Sequence, residues 1–236
     1  MHILITNFYG NPNVGLYGYA NDSYCLMGED VPKHLIHQIG QVLKVPVHTI
    51  TICGTSLVGA FCAGNNKKLL VPGIAFKEEL ARLKELKIDF EVISTKHTAL
   101  GNNLLCNDFG CLANPDFSAD EKKKIRQALG VKLHPGNIAG LGIVGSLAAH
   151  NKHGCLIHRD ASNKEIKEVQ TLLNTKCETG TLNMANPYIR SSIICNSNGF
   201  IVGDACGGPE IANTDEVLGF LKKEVEEKVL KRKKVL

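Results

Sequence analysis

The hydrophobic and polar positions of this chain repeat five times. The segments NVGLYGYANDSYCLMG, LVGAFCAGNNKKLLVP, ALGNNLLCNDFGCLAN, IVGSLAAHNKHGCLIH and YIRSSIICNSNGFIVG align without gaps. Each has an apolar residue followed by glycine, then five residues, then asparagine, then an aliphatic residue five further on. The glycine column is Gly15, Gly59, Gly101 and Gly145, with Arg190 in the fifth place. The asparagine column is Asn21, Asn65, Asn107, Asn151 and Asn196, and the aliphatic column is Leu26, Leu70, Leu112, Leu156 and Ile201. Registered columns of this kind decide the architecture before any single element does.

Within each unit the short apolar run between glycine and asparagine has the length of a strand. Asn107 to Gly110, Asn151 to Gly154 and Asn196 to Gly199 read as hairpin turns, with asparagine starting the turn and glycine in a left-handed position. The first two units have Tyr24 and Lys68 at that place, so their turns are expected to differ. A returning strand carries the aliphatic column. A helix follows, announced by capping boxes at Ser118/Glu121 and Ser162/Glu165 and by apolar spacing such as Ile166, Val169 and Leu173. The fifth helix, through Val217, Leu218, Leu221 and Val225, is expected to run toward the C-terminus. Third strands are expected at residues 45–51, 90–93, 131–133 and 177–182.

The unit is thus strand, strand, helix, strand. The fifth lacks a third strand, and the chain begins with a spare one at residues 3–6. A ring closed by the N-terminal strand uses both and leaves no half-buried terminal repeat. The expected glycine column then sits where strands crowd the axis. This gives one α/β domain over residues 1–225, with units at about 1–44, 45–87, 88–130, 131–174 and 175–225, and a tail at 226–236.

The Gly-x5-Asn columns, with phrases such as Ala99-Leu-Gly-Asn102, Cys106-Asn-Asp108 and Leu69-Leu-Val-Pro72, resemble the archaeal and eukaryotic translation initiation factor 6 family. The resemblance runs from Ile3 to about Val225. It implies a five-bladed pentein, an α/β propeller with pseudo-fivefold symmetry, and a non-enzymatic role: binding the joining face of the large ribosomal subunit and blocking the small one. It further implies contacts near the sarcin-ricin loop, and release linked to a maturation factor and a translational GTPase. A monomer needing no cofactor is expected. Arg190 departs from the pattern.

Composition narrows the alternatives. Of the 236 residues 44% are hydrophobic and 21% charged, globular values that exclude disorder or a coiled coil for the whole chain. No apolar window approaches a membrane span, and MHILITNFYGNPNVG lacks the pattern of a secretory signal, so a cytoplasmic location is expected. Nine cysteines without a C-x-x-C pair read as core residues rather than zinc ligands. From Lys222 onward seven basic residues face three acidic ones, a surplus equal to the chain's net +4. A phosphate contact is therefore sought in Lys231, Arg232, Lys233 and Lys234. With 6% aromatics and no tryptophan, a stacking platform for single-stranded RNA is disfavoured.

Other chemistry is weaker. Gly140-Leu-Gly-Ile-Val-Gly145 matches a dinucleotide fingerprint, but Gly145 belongs to the repeat and no helix is expected after it. His34 and His37 lie one helical turn apart without a third ligand. Some penteins attack guanidinium carbons with cysteine. By that alternative Cys206 is the nucleophile, with Asp204 nearby and His150, His153 or His158 recruited in space. The polar pairs Asn102-Asn103 and Ser191-Ser192 after the glycine column suggest strand ends facing solvent or a partner. The resemblance favours Asn102 as a subunit contact, with Asn103 and Arg190 as further candidates.

Overall fold

The computed structural model describes residues 2–221. Five three-stranded sheets are arranged around an axis, each with one long helix. In the first blade Gly18–Ala20 pairs antiparallel with Cys25–Gly28, which pairs parallel with Val47–Ile50. The next three blades repeat this, with outer strands Phe90–Ile93, Lys132–Pro135 and Cys177–Gly180. The fifth blade takes its outer strand from the other end of the chain: Ile3–Thr6 runs parallel to Phe200–Gly203, with Leu4 opposite Ile201. The ring is closed as the repeats required.

The middle strands are near-continuous apolar runs because both of their faces are buried. Alternate residues serve different cores. Cys25 and Met27 pack under their own helix, Lys33–Leu43, whereas Leu26 points into the core of the next blade beside Leu83. The same division holds for Cys111 against Leu112, Cys155 against Leu156, and Phe200 against Ile201. Each aliphatic-column residue is therefore an inter-blade wedge. All nine cysteines are free, and six are buried, including Cys25, Cys111 and Cys155, as core filler should be.

Two expectations about the unit are corrected. The glycine column does not open a strand. It lies in a single helical turn (Val14–Tyr17, Val58–Phe61, Leu100–Asn103, Val144–Leu147, Ile189–Ser192) that precedes a strand of only two or three residues. A five-residue apolar run fits either conformation, and the crowding of five chains at the axis selects the turn. Any Cβ at Gly59 would overlap the carbonyl of Gly15, one at Gly101 that of Gly59, and one at Gly145 that of Gly101. The glycines thus let each turn stack on its neighbour's backbone.

The second correction concerns the hairpin glycines. Gly110, Gly154 and Gly199 are not left-handed. They are needed because a side chain there would strike the carbonyls of Leu172, Val217 and Val42 at the end of the neighbouring helix. The turns at Tyr24 and Lys68 accordingly do not differ. Asn21 Oδ1 accepts from Ser23 and Tyr24 N–H at 2.9 Å, as Asn107 Oδ1 does from Phe109 and Gly110 at 2.9 and 3.1 Å.

The capping boxes at Ser118/Glu121 and Ser162/Glu165 form as expected. The fifth helix, Gly208–Val217, is interrupted at residues 218–219, and helical backbone resumes at Phe220 and Leu221. Gly219 at φ 79° follows it, Leu218 is buried and Leu221 is exposed. Val225 and the tail lie outside the described residues.

Candidate functional site

Each outer strand ends on the same face as the long-helix N-termini, and the chain crosses there to the next blade. Three of these crossings are tight two-residue turns with both central residues left-handed: Tyr9-Gly10 (φ 54°, 80°), Cys53-Gly54 (57°, 70°) and Ala139-Gly140 (51°, 73°). They are closed by paired backbone bonds, such as Phe8 N to Asn11 O and its reciprocal, both at 3.1 Å. The crossing after the fourth blade holds three left-handed residues in a row, Asn183, Met184 and Ala185. Left-handed backbone is costly outside glycine and persists where the surroundings impose it.

At Tyr9-Gly10 the Gly10 N–H donates to Asn7 Oδ1 at 2.8 Å; at the other three crossings the imposing groups are glutamates in the first helical turns. Glu210 caps its own helix by accepting from Gly207 N–H at 2.9 Å and also holds the crossing, accepting from Ala185 N–H and the Thr181 hydroxyl at 2.9 Å. Glu79 accepts from Cys53, Gly54 and Phe76 N–H, each at 2.8 Å. Glu165 accepts from Gly140 N–H at 3.0 Å and from Ser162 N–H at 2.7 Å. Burial works to raise the Glu165 and Glu210 carboxyls, but these donors outweigh it and hold both below the ordinary carboxylate range. Such pinning makes the loops a stiff surface. Tyr9 (81% exposed) and Met184 (83%) stand at its loop tips, with Tyr188, Leu141 and Ile143 also exposed nearby in sequence.

The opposite face carries the hairpin turns and opens into a well on the axis. Its walls are the inner strands, with Tyr19, Ala63, Cys106, His150 and Cys195. Asp22, Asn66, Asp108, Lys152 and Ser197 ring the mouth. Around that ring backbone N–H groups donate to the next blade's side chain: Asp22 to Asn66 at 2.9 Å, Asn66 to Asp108 at 3.0 Å, and Ser197 to Asp22 at 2.7 Å.

The sequence-expected contact residues are divided between these places. Asn103 is 7% exposed and spent on the fold: Nδ2 donates to Ala99 O at 2.8 Å and Oδ1 accepts from Asn114 at 2.7 Å. Ser192 is likewise buried. Of each pair the second residue is thus turned inward, while Asn102 and Ser191 are half-buried; in the third unit Asn103 ties the axial turn to the Asn114 loop. Asn102 is half-buried in the axial turn beside Gly145. Arg190 lines the axial well. Lys231, Arg232, Lys233 and Lys234 lie outside the described residues.

The guanidino-enzyme alternative gains no support at Cys206. Cys206 is raised above the ordinary thiol range by burial, the opposite of an activated nucleophile. Its partner is Asn183, whose N–H donates to the sulfur and whose Oδ1 accepts from it, both at 3.2 Å. The histidines are engaged elsewhere: His150 bonds Cys106 O at 2.9 Å, His158 accepts from Asp160 N–H at 3.1 Å, and His153 packs against Gly219. Among the described residues no three His, Cys, Asp or Glu side chains gather to hold a metal, so His34 and His37 gain no third ligand. Gly145, in its axial turn, is followed by strand, not by a nucleotide-binding helix.

Comparison with known proteins now decides the lineage. Residues 3–217 match the eIF-6 family. The chain belongs to that family. It is similar to translation initiation factor 6 of Pyrococcus furiosus, 44% identical over 227 residues that cover 94% of this chain and all of the relative. The corresponding factor of Thermococcus gammatolerans is 42% identical over the same span of 227 residues and the same coverage. That of Aeropyrum pernix is 39% identical over 217 residues, 90% of this chain and 93% of the relative. The family's five-bladed pentein architecture is the one described above, and its members here are named as translation initiation factors, not as enzymes. Among the described residues no helix is long and apolar enough to cross a membrane.

Sequence reasoning missed the loop face. The signal was available in part: Tyr9-Gly10, Cys53-Gly54 and Ala139-Gly140 occupy equivalent places after an outer strand, each ending in glycine. Glu79 and Glu210 were hidden because their N-cap residues, Phe76 and Gly207, have no side-chain acceptor to complete a box.

Proposed function

We propose that the protein binds the large ribosomal subunit and prevents its association with the small subunit by occupying the joining face. Family membership over nearly the whole chain carries this reading. The stiff loop face supports it, because a surface already fixed before binding loses little ordering entropy on docking. The contact is assigned to that face through Tyr9, Met184 and Tyr188, with Asn102 in the axial turn retained from the sequence-expected set. The docking site lies near the sarcin-ricin loop and its neighbouring ribosomal proteins, and release is coupled to a maturation factor and a translational GTPase. The protein acts as a cytoplasmic monomer, a single five-repeat domain over residues 1–225. The basic tail, through Lys231, Arg232, Lys233 and Lys234, adds a limited phosphate contact.

Co-sedimentation with separated ribosomal subunits tests the assignment. Stoichiometric recovery with the large subunit alone is expected, weakened about tenfold or more by Tyr9→Asp combined with Met184→Asp, in keeping with loss of central apolar anchors. Recovery with neither subunit overturns the function, and unchanged binding by the double variant overturns the choice of face.

A further inference from the structure

We propose that the axial well is an oxyanion site, in which the Arg190 guanidinium holds one small anion of the size of inorganic phosphate or a short carboxylate.

The repeat itself makes Arg190 anomalous. Four blades have glycine at this place because their axial turns stack on a neighbour's carbonyl. The fifth has the largest cationic side chain, and it lines the well that opens on the hairpin face. Its charge is felt by groups on three other blades and its own: Tyr19, Cys62, His150 and Cys195. A guanidinium presents five N–H donors in a planar fork suited to oxyanions. Among the described residues it forms no protein hydrogen bond and no ion pair.

The rest of the wall is already satisfied and neutral. His150 Nε2 bonds Cys106 O, the Cys106 and Cys195 thiols donate to Gly64 O at 3.2 Å and His150 O at 3.3 Å, and the Tyr19 hydroxyl donates to Asn65 O at 3.3 Å. Burial, followed by the nearness of Arg190, lowers His150 to about 4, so it is uncharged at neutral pH. No second cation competes at this depth.

Two carboxylates stand at the mouth, but both are engaged. Asp22 accepts from Ser197 N–H and hydroxyl, and Asp108 from Asn66 N–H and side-chain amide. At His150 the influence of Arg190 exceeds that of either aspartate. Arg190 is thus the strongest single charge acting at that depth, and the carboxylates at the mouth disfavour large polyanions. The cavity volume of about 100 Å³ is several times the roughly 10–15 Å³ that seats one water, so a small anion fits beside the guanidinium.

The test is thermal unfolding titrated with sodium phosphate, and separately with sodium acetate, at constant ionic strength. It is run on the protein, on Arg190→Gly and on Arg190→Met. Arg190→Gly restores the residue of the other four blades, and Arg190→Met keeps bulk without charge, so one serves if the other fails to fold. A saturable rise in Tm for the unsubstituted protein is expected, with half-saturation shifted at least tenfold or abolished in the variants. No rise, or an equal unsaturating rise in all three as excluded-solute effects give, overturns the site. A short RNA oligonucleotide is the third arm: Arg190-dependent binding to it overturns the small-anion assignment. The inference does not rest on the ribosome reading, since the titration contains no ribosomes and either result leaves subunit binding to be decided by co-sedimentation.

Discussion

The Asn65 side-chain amide donates to the carbonyl of Leu129 at 3.1 Å, joining the hairpin of one blade to the last residue of the next blade's helix. Asn107 does the same to Leu173 at 2.8 Å, Asn151 to Leu218 at 3.0 Å and Asn196 to Leu43 at 2.8 Å. A helix end leaves carbonyls without intrahelical partners, and these amides supply donors in a buried place where water cannot. The asparagine column thus shapes a turn with its oxygen and ties the ring with its nitrogen.

Replacing Asn65 by alanine removes the two turn bonds from Lys67 and Lys68 N–H and strands the Leu129 carbonyl. A loss of about 2–4 kcal/mol is expected in urea unfolding. Asn66→Ala, on the exposed neighbour, should cost clearly less. Equal losses would show that the column is no more than a surface turn.

Gly59→Ala should abolish or nearly abolish folding, because the new methyl would overlap the Gly15 carbonyl at the axis. A cost above about 4 kcal/mol is expected, the range diagnostic of a forced clash. Gly208→Ala, where nothing lies within 4 Å, should be neutral or stabilising by up to about 1 kcal/mol. Soluble expression followed by thermal unfolding separates the two.

Acid sensitivity should follow Glu210. Its folded pKa lies below the ordinary glutamate value of 4.5, so its contribution is fully present above about pH 4.5 and is lost as pH falls through the lower folded value. Glu210→Gln is expected to cost about 1 kcal/mol at pH 7, screened because the group is partly exposed. That difference should shrink as the pH falls through the lowered folded value, where the wild-type carboxylate takes up its proton. A gap that widens in acid would contradict the pinning role.

Cys206 should react slowly with thiol reagents in the native protein at pH 8, slower than a free cysteine, since burial raises its pKa. Rapid single-site labelling at Cys206 would return the nucleophile reading to consideration.

The ring was legible because every blade contributes to the same columns, so five weak signals reinforce one another. Even the closing strand, Ile3–Thr6, could be inferred from a missing element. What escaped was set by contacts between blades. Gly110, Gly154 and Gly199 look like left-handed turn residues, and only the approach of a neighbouring helix explains them otherwise. The axial turns look like strands because a five-residue apolar run has no readable period. Asn103 looks exposed until Asn114, eleven residues on, folds back to it. Glu79 and Glu210 look like ordinary helix-surface acids, and their grip on the loop face depends on crossings about 25 residues earlier.

The measurement that tests the central claim most directly is subunit joining on a sucrose gradient. Separated subunits from the protein's own source are mixed with and without a stoichiometric amount of the protein. The account predicts that joined ribosomes are lost, free small subunits accumulate and the protein migrates with the large-subunit peak. Undiminished joined ribosomes, with the protein left at the top of the gradient, would contradict it.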